Sequence, residues 1–400
     1  MTTRAPIFSR AFLLLCAATL ASAFAQYLVL TAVPLLLTEL GFSTAFVGAF
    51  IGAFALGALI VRIPVGRAVD RFGSRAFRTG GSALLSLSCV LYALAQTTPA
   101  RASSFAAVPL LLALAGIAHS AGFSVYGTSS SSFVAYTVPP ARRGEAVSYF
   151  LVLMSVAAGG ASGVSLLIIA AWGFPPLLAL SALLALLSTL LSALLRDPAR
   201  ERSRSFRSRL HLETRILPPS LASSALAASN GAALAFVTLL GFERGISNPG
   251  IFYTTSSLAT IFFRFVAGRL ADTYGRLVAI VPGMLVASAG LVLVAGSFSL
   301  ETLALAGILF GLGTATARPA FQALAIDLAT PGRRGTAMAT YLAMVDLGVS
   351  IGSLSAGQIA AAVGYGGVFL AAGAAPFSGL CLFLIYLHFR PLPAAHHEGA

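Results

Sequence analysis

Two ionisable residues lie where the sequence is otherwise strongly apolar. Arg318 and Asp346 each sit in an apolar stretch long enough for a membrane helix, about 12–15 Å from its end. A lone charge at that depth costs about 2.5–3.5 kcal/mol or more, so both should face the protein interior and pair. Asp346 could then take up and release a proton, with Arg318 as its partner or as an anchor for an anion. A static ion pair between two helices remains the alternative.

Other polar and aromatic residues inside apolar stretches are candidates for contacts with a small molecule. His119, Phe123, Tyr126 and Ser130 recur at spacings of 4, 3 and 4, which places them on one helical face. Imidazole titrates near neutral pH, so His119 is a second candidate for proton coupling, although it could also be a core residue. The substrate-binding candidates are Gln26, Tyr27, His119, Tyr126, Asn230, Tyr253, Arg318 and Gln322. Any of them could instead form a hydrogen bond between helices.

The composition shows what kind of chain must position these residues. Of 400 residues, 58% are hydrophobic and 9% are charged, whereas about a quarter are charged in soluble proteins. The apolar stretches are longer than the roughly ten-residue strands of outer-membrane barrels. We find no nucleotide-binding loop, hydrolase motif or zinc motif, so we expect neither an enzyme nor a cofactor. A gradient, most simply of protons, is the expected energy source.

Apolar stretches of about 20 residues predict twelve membrane helices. They lie at approximately 11–37, 44–64, 77–97, 105–130, 146–170, 173–195, 218–241, 249–271, 277–298, 301–326, 336–362 and 366–388. All 25 basic residues are arginines, and only Arg101 and Arg244 fall in loops that join odd to even helices. The positive-inside rule then puts both termini in the cytoplasm of a bacterial cell, with the chain in the inner membrane. The arginine-rich linker 196–217 is expected to lie against anionic lipid and not to bind nucleic acid.

One polar motif occurs twice, 202 residues apart. The first copy reads Arg62-Ile-Pro-Val-Gly66-Arg67-Ala-Val-Asp70-Arg71-Phe72-Gly73-Ser74-Arg75, and the second runs from Arg264 through Gly268, Asp272 and Gly275 to Arg276. A second repeat pairs the Arg-Arg-Gly segments at 142 and 333, which are 191 residues apart. Each copy of the longer motif lies between two apolar stretches, which indicates a tight hairpin between membrane helices. The chain therefore reads as two related halves.

The duplicated motif resembles the hairpin signature of the major facilitator superfamily. This resemblance implies an all-α membrane protein with twelve transmembrane helices in two pseudo-symmetric six-helix bundles, 1–195 and 218–388, followed by a cytoplasmic tail, 389–400. It further implies a cavity lined by helices 1, 4, 7 and 10, and hairpins that act as conformational latches. The latch residues are Gly66, Asp70, Arg71, Gly73, Arg75, Gly268, Asp272, Gly275 and Arg276. Asp70 and Asp272 would hold the N-termini of helices 11 and 5, although the hairpins could also serve only as loops.

The function that this resemblance implies is secondary active transport by alternating access. Helix 5 carries Ser155, Gly159, Gly160 and Gly163, similar to the antiporter motif of exporters but without its proline. We therefore expect proton-coupled export of a small drug-like or metabolite-like molecule by a monomer. The alternatives are proton-coupled uptake of a small metabolite, including an anionic one, and a membrane sensor or assembly protein that does not transport.

Overall fold

The computed structural model describes residues 9–97, 107–137, 143–197, 214–329 and 334–389. The first half contains α1 Arg10–Glu39, α2 Thr44–Phe72, α3 Arg75–Thr97, α4 Ala107–Thr137, α5 Arg143–Trp172 and α6 Phe174–Leu194. A short 3-10 turn, Thr214–Ile216, precedes the second half, which contains α7 Leu217–Glu243, α8 Ile251–Tyr274, α9 Arg276–Ala295 and α10 Leu300–Asp327. A last helical element runs Arg334–Phe389.

This last element consists of two helices. Gly364 interrupts its helical backbone with a φ of 76°, in the left-handed region that glycine tolerates. We call residues 334–363 α11 and residues 365–389 α12. Ten helical stretches in the described residues are long and apolar enough to cross a membrane, and one of them, Ala337–Phe389, includes both α11 and α12. The predicted all-α membrane fold is confirmed, and the described chain is consistent with twelve helices.

The two repeated motifs are mostly helical and end in short turns. Helix α2 continues to Phe72 and α8 continues to Tyr274, beyond the predicted ends at 64 and 271. The turns then fall on Gly73 and Gly275, with φ angles of 94° and 93°. A side chain would be strained at these angles, so the repeated glycines allow each pair of helices to be joined by a tight hairpin.

Several helices begin at side chains that satisfy their free backbone donors. Ser9 Oγ accepts a hydrogen bond from the N–H of Phe12 at 3.2 Å, at the start of α1. Ser43 Oγ does the same for Phe46 at 3.3 Å, at the start of α2. Hydroxyl caps of this kind are among the preferred helix starts.

Within each half, small residues let neighbouring helices approach closely. Gly81 of α3 and Gly122 of α4 each face the backbone of the other helix, and a methyl group at either position would overlap it. Gly283 of α9 and Gly313 of α10 make the corresponding contact in the second half. Such small-residue contacts are the usual basis of helix packing in membranes, where van der Waals contact replaces the hydrophobic effect.

The two halves also meet through glycines. We call the side of the bundle where α1 begins the terminal face, and the other side the opposite face. Gly48 and Gly52 of α2 lie against the α11 backbone at Ser353 and Ser350. The equivalent contact joins α8 to α5, where the Thr254 hydroxyl donates to the carbonyl oxygen of Gly159 at 2.8 Å. Since α2 and α8 begin on the opposite face, these contacts bring the halves together on that side.

Candidate functional site

An ion pair joins the two halves in the middle of the bundle. Arg62 Nη1 of α2 lies 2.6 Å from Asp346 Oδ2 of α11. The side chains are 31% and 22% exposed, so both are only partly buried. A charge-assisted hydrogen bond of this length is among the stronger polar contacts in proteins.

The ion pair lies deep within the membrane-spanning helices. Arg62 is ten residues before the end of α2, and Asp346 is twelve residues after the start of α11. At 1.5 Å per residue, both are about 15–18 Å from the terminal face. The hydrocarbon core of a bilayer is about 30 Å thick, so this depth is close to the midplane.

The direct partner of Asp346 differs from the predicted one. Arg318 is near enough to interact electrostatically with the Asp346 carboxylate, but Arg62 makes the hydrogen bond. The reason is that Gly48 and Gly52 bring α2 directly against α11, so that the long Arg62 side chain reaches the carboxylate. Arg62 is the first residue of the first copy of the repeated motif. Because it lies eleven residues before the turn glycine Gly73, the sequence could have identified it as an arginine inside the membrane helix.

Arg318 lies among ionisable side chains from several helices. It interacts electrostatically with Asp346, with Tyr27 of α1 and with Arg264 of α8. The Tyr341 hydroxyl of α11 donates to the Arg318 carbonyl oxygen at 3.2 Å and shares a hydrogen bond with a serine of α7. We call Arg62, Arg264, Arg318 and Asp346 the central cluster.

His119, a candidate for substrate binding and proton coupling, lies apart from the central cluster. Its side chain is fully buried inside the first half, with its ring centroid 4.9 Å from that of Phe54 and 6.0 Å from that of Tyr92. Tyr126 is also buried there, and its hydroxyl lies 3.2 Å from Thr19 Oγ1 of α1. The physical reason is the glycine between them, Gly122, which draws α3 against this face of α4.

Of the remaining substrate-binding candidates, some lie near the central cluster and others in the protein interior. Tyr27 lies near Arg318, whereas its neighbour Gln26 is only 5% exposed. The Tyr253 hydroxyl forms a hydrogen bond within the second half, where it donates to the carbonyl oxygen of Ala233 in α7 at 2.8 Å. Asn230 is half-buried on α7.

Gln322 lies on the last part of α10, one turn from Arg318 towards the terminal face. Its side chain is exposed, and Nε2 donates to the Met338 sulfur of α11 at 3.5 Å. Among the residues that the structure describes, no group of three or more His, Cys, Asp and Glu side chains is arranged to hold a metal ion.

The first hairpin is held by an acidic residue that the sequence analysis did not single out. Asp197, just after α6, accepts hydrogen bonds from the N–H groups of Ser74 and Arg75 at 2.6 and 2.9 Å. It also accepts one from the Ser74 hydroxyl at 2.6 Å. Arg75 in turn donates to the carbonyl oxygen of Ala193 at 2.6 Å. Asp197 therefore caps the N-terminus of α3 and ties the hairpin to α6.

The other predicted latch residues are only partly described. Arg71 lies over the Phe72 ring at 5.1 Å, and Arg276 Nε donates to Asp327 Oδ2 at 3.1 Å. Gly66 is in the helical part of the motif. The side chains of Asp70 and Asp272, and the surroundings of Gly268, lie outside the described residues. The latch role of the two aspartates stays a prediction.

The cap on α3 leads to a prediction for stability. Replacing Asp197 with alanine removes the acceptor for two backbone donors, so we expect a loss of about 1 kcal/mol, typical of helix caps. Replacing Asp327 with alanine is the matched control, because its exposed ion pair with Arg276 is worth about 0–1 kcal/mol. Thermal unfolding of the two purified variants in detergent provides the measurement. An equal loss in both would contradict the capping role of Asp197.

The comparisons with known proteins agree with this architecture. The sequence matches the profile of the Major Facilitator Superfamily over residues 15–249 and 220–400. It is 28% identical over 354 residues to an uncharacterized MFS-type transporter of Burkholderia mallei (strain SAVP1), covering 86% of this chain and 84% of the relative.

Solved structures share the fold at low sequence identity. The nucleoside transporter NupG superimposes with a TM-score of 0.80 at 14% identity, over 94% of this chain and 99% of that one. A POT family transporter in complex with 5-aminolevulinic acid superimposes with a TM-score of 0.75 at 14% identity, over 96% of both chains. Because the family profile spans both six-helix halves, this chain belongs to the major facilitator superfamily of secondary transporters.

Proposed function

We propose that this chain moves a small organic molecule across the bacterial inner membrane by proton-coupled alternating access. Asp346 is the group that takes up the proton, and Arg62 is its partner when the carboxylate is charged. The observation that carries the proposal is the 2.6 Å ion pair between the halves, close to the expected midplane. In the same proposal, both termini are cytoplasmic, the linker lies on anionic lipid and the protein works as a monomer.

The position of the ion pair explains why protonation would affect the conformation. Arg62 belongs to the first half and Asp346 to the second, so their contact resists any movement that separates α2 from α11. Protonation of Asp346 removes the charge that Arg62 binds and so weakens this contact. Because buried ion pairs add little net stability, we favour a functional role for the pair over a purely structural one.

The substrate site in this proposal is the cavity beside the central cluster. Of the predicted binding residues, Arg318 lies near Asp346 and Tyr27 lies near Arg318, and Asn230 is half-buried on α7. We leave His119 and Tyr126 out of this proposed site, because both are buried within the first half.

The glycines of helix 5 bear on the direction of transport. Export was inferred from the glycines of helix 5, and two of these, Gly159 and Gly163, pack against Ser257 and Thr254 of α8. This contact serves the approach of the halves in an exporter and an importer alike. Co-transport of a proton with an anion is the second candidate, and the observation that favours it is the excess of arginine in the central cluster.

The proposal is tested with the purified protein in liposomes. A thermal-shift screen first identifies compounds that stabilise the protein, and each is then offered to proteoliposomes with an imposed pH gradient. We expect the gradient to accelerate the flux of a stabilising compound and a protonophore to remove that acceleration. Flux that is the same with and without the gradient would show that protons are not coupled.

A further inference from the structure

The central cluster contains more positive than negative charge. The chain has twelve acidic residues, and eleven of them lie within three residues of a helix end or in the connecting and terminal segments. Asp346 is the exception. Three arginines lie at a similar depth, with Arg62, Arg264 and Arg318 nine to ten residues before the ends of α2, α8 and α10. One carboxylate can neutralise only one of them.

The internal repeat shows which arginine lacks an acidic partner. In the interface between the halves, Gly48 lies against the backbone of Ser353. Gly250, 202 residues after Gly48, lies in the same manner against the backbone of Ser162, which is 191 residues before Ser353. The two offsets found in the sequence therefore relate the α2–α11 contact to the α8–α5 contact. The same offsets relate Arg62 to Arg264.

The same two offsets show which residue in the second interface is equivalent to Asp346, and that residue is not acidic. The residue 191 positions before Asp346 is Ser155 in α5. The first arginine of the repeat thus faces an aspartate across the interface, whereas the counterpart of that aspartate for Arg264 is an uncharged serine. The two halves therefore contain an arginine at both equivalent positions and an acidic residue at only one of them.

Two nitrogen donors of the Arg264 side chain lack hydrogen-bond acceptors in the described part of the chain. Its Nε and Nη1 atoms are buried, and neither has a hydrogen-bond partner in the described part of the chain. Arg318 is near enough to act electrostatically on Arg264, and like charges repel strongly in an apolar environment. Buried donors without acceptors are costly, so this arrangement favours a bound anion.

We propose that Arg264 and Arg318 together bind the acidic group of the substrate, which is a small organic anion. The guanidinium fork matches two oxygens of a carboxylate or a phosphate, and two arginines on different helices can hold both sides of such a group. Tyr27, near Arg318, adds a phenol to the same region. The inference rests on the proposed transport function and specifies its substrate class.

A bound anion also determines whether the proton moves with the substrate or against it. The charged groups around Asp346 are Arg62 on α2 and Arg318 on α10, and the phenols near Arg318 are those of Tyr27 and Tyr341. Helix α7 packs on α11 but has no ionisable residue before Glu243 at its end. A bound anion therefore adds negative charge beside Asp346 and favours its protonated form. By linkage the proton favours the anion equally, so the two move in the same direction.

The experiment compares anions with their neutral counterparts. Purified full-length protein is titrated with benzoate, succinate and glycerol 3-phosphate, and with benzamide, succinamide and glycerol, using thermal shift and calorimetry. We expect at least one anion to bind and its neutral counterpart not to bind. We expect Arg264→Gln to weaken that anion at least tenfold and Arg264→Lys to weaken it less. Comparing benzoate and succinate with glycerol 3-phosphate shows whether the site prefers a carboxylate or a phosphate.

Two controls keep the test decisive. Arg10→Gln removes a charge from an exposed position at the start of α1 and should leave anion affinity unchanged. Arg264→Gln should also not lower the melting temperature of the ligand-free protein, because the buried Nε and Nη1 atoms have no hydrogen-bond partner in the described residues. Tight binding of neutral compounds that Arg264→Gln does not alter would overturn the inference.

A flux measurement separates this inference from the proposed function. When a bound anion is added outside proteoliposomes, co-transport should acidify the interior, which a trapped pH dye reports. If only neutral compounds move with protons, the anion site is wrong while proton-coupled transport stands. If anions bind in an Arg264-dependent manner but never move with a pH gradient, the proton-coupled function is wrong.

Discussion

Asp346→Asn should abolish substrate flux driven by a pH gradient, to the level of liposomes without protein. Asparagine has nearly the same shape as aspartate but cannot be ionised near neutral pH, so it resembles the protonated state permanently. Exchange of substrate across the membrane without net proton movement should therefore continue. The measurement compares gradient-driven uptake with substrate exchange in the same proteoliposomes.

The Asp346→Asn variant should remain folded although it loses gradient-driven flux. Removing one partner of a fully buried ion pair costs about 3–5 kcal/mol. Here Arg62 and Asp346 are 31% and 22% exposed, so water can solvate the remaining guanidinium and the loss should be smaller. Asp327→Asn is the matched control, because it removes a carboxylate from an exposed pair at the end of α10 and should retain coupling. Gradient-driven flux in Asp346→Asn equal to wild type would remove Asp346 from the mechanism.

Gly48→Val should stop transport by keeping the two halves apart on the opposite face. A β-carbon at Gly48 would lie 2.5–2.8 Å from backbone atoms of Ser353 and Gly357 in α11. Because those atoms belong to a helix backbone, they cannot rotate away as a side chain can, and the helices must separate. Gly48→Ala should reduce the transport rate, and the larger valine should reduce it to background. Spin labels on Thr44→Cys and Ala361→Cys, with the native cysteines replaced by serine, would report a longer distance.

A matched glycine shows whether the effect is local. At Gly127 of α4, a β-carbon meets no atom within 4 Å, so Gly127→Ala should transport like the wild type. Replacing glycine with alanine raises helix propensity at both positions, so helix propensity cannot account for a difference between Gly48→Ala and Gly127→Ala. Full transport in Gly48→Val would mean that close contact between α2 and α11 is not part of the cycle.

His119 and Arg62 show where reasoning from the sequence succeeded and failed. The sequence correctly placed both in membrane helices, since the apolar stretches define the helices. It favoured the cavity for His119, which is buried beside Phe54, and it overlooked Arg62, which makes the central ion pair. Membrane helices are apolar on nearly every side, so periodicity does not show which face meets lipid, a neighbouring helix or a cavity.

Close contacts between helix backbones decided these positions. Gly122 draws α3 against the face of α4 that carries His119, and Gly52 draws α11 against α2. The sequence shows that these residues are small, but it does not distinguish them from Gly80 and Gly127, where an added β-carbon would meet no atom within 4 Å. Which glycine meets which helix depends on the relative rotation of packed helices.

The amino-acid sequence by itself determined the membrane class, the number of halves and the turns. Long apolar stretches require helices in lipid, because every backbone donor there must be satisfied within its own segment. The repeated turn glycines, Gly73 and Gly275, follow from local backbone geometry. Only the tertiary structure decided that Asp346 pairs with Arg62 and that Arg264 has no acidic partner among the described residues, because such pairings join positions hundreds of residues apart through helix packing.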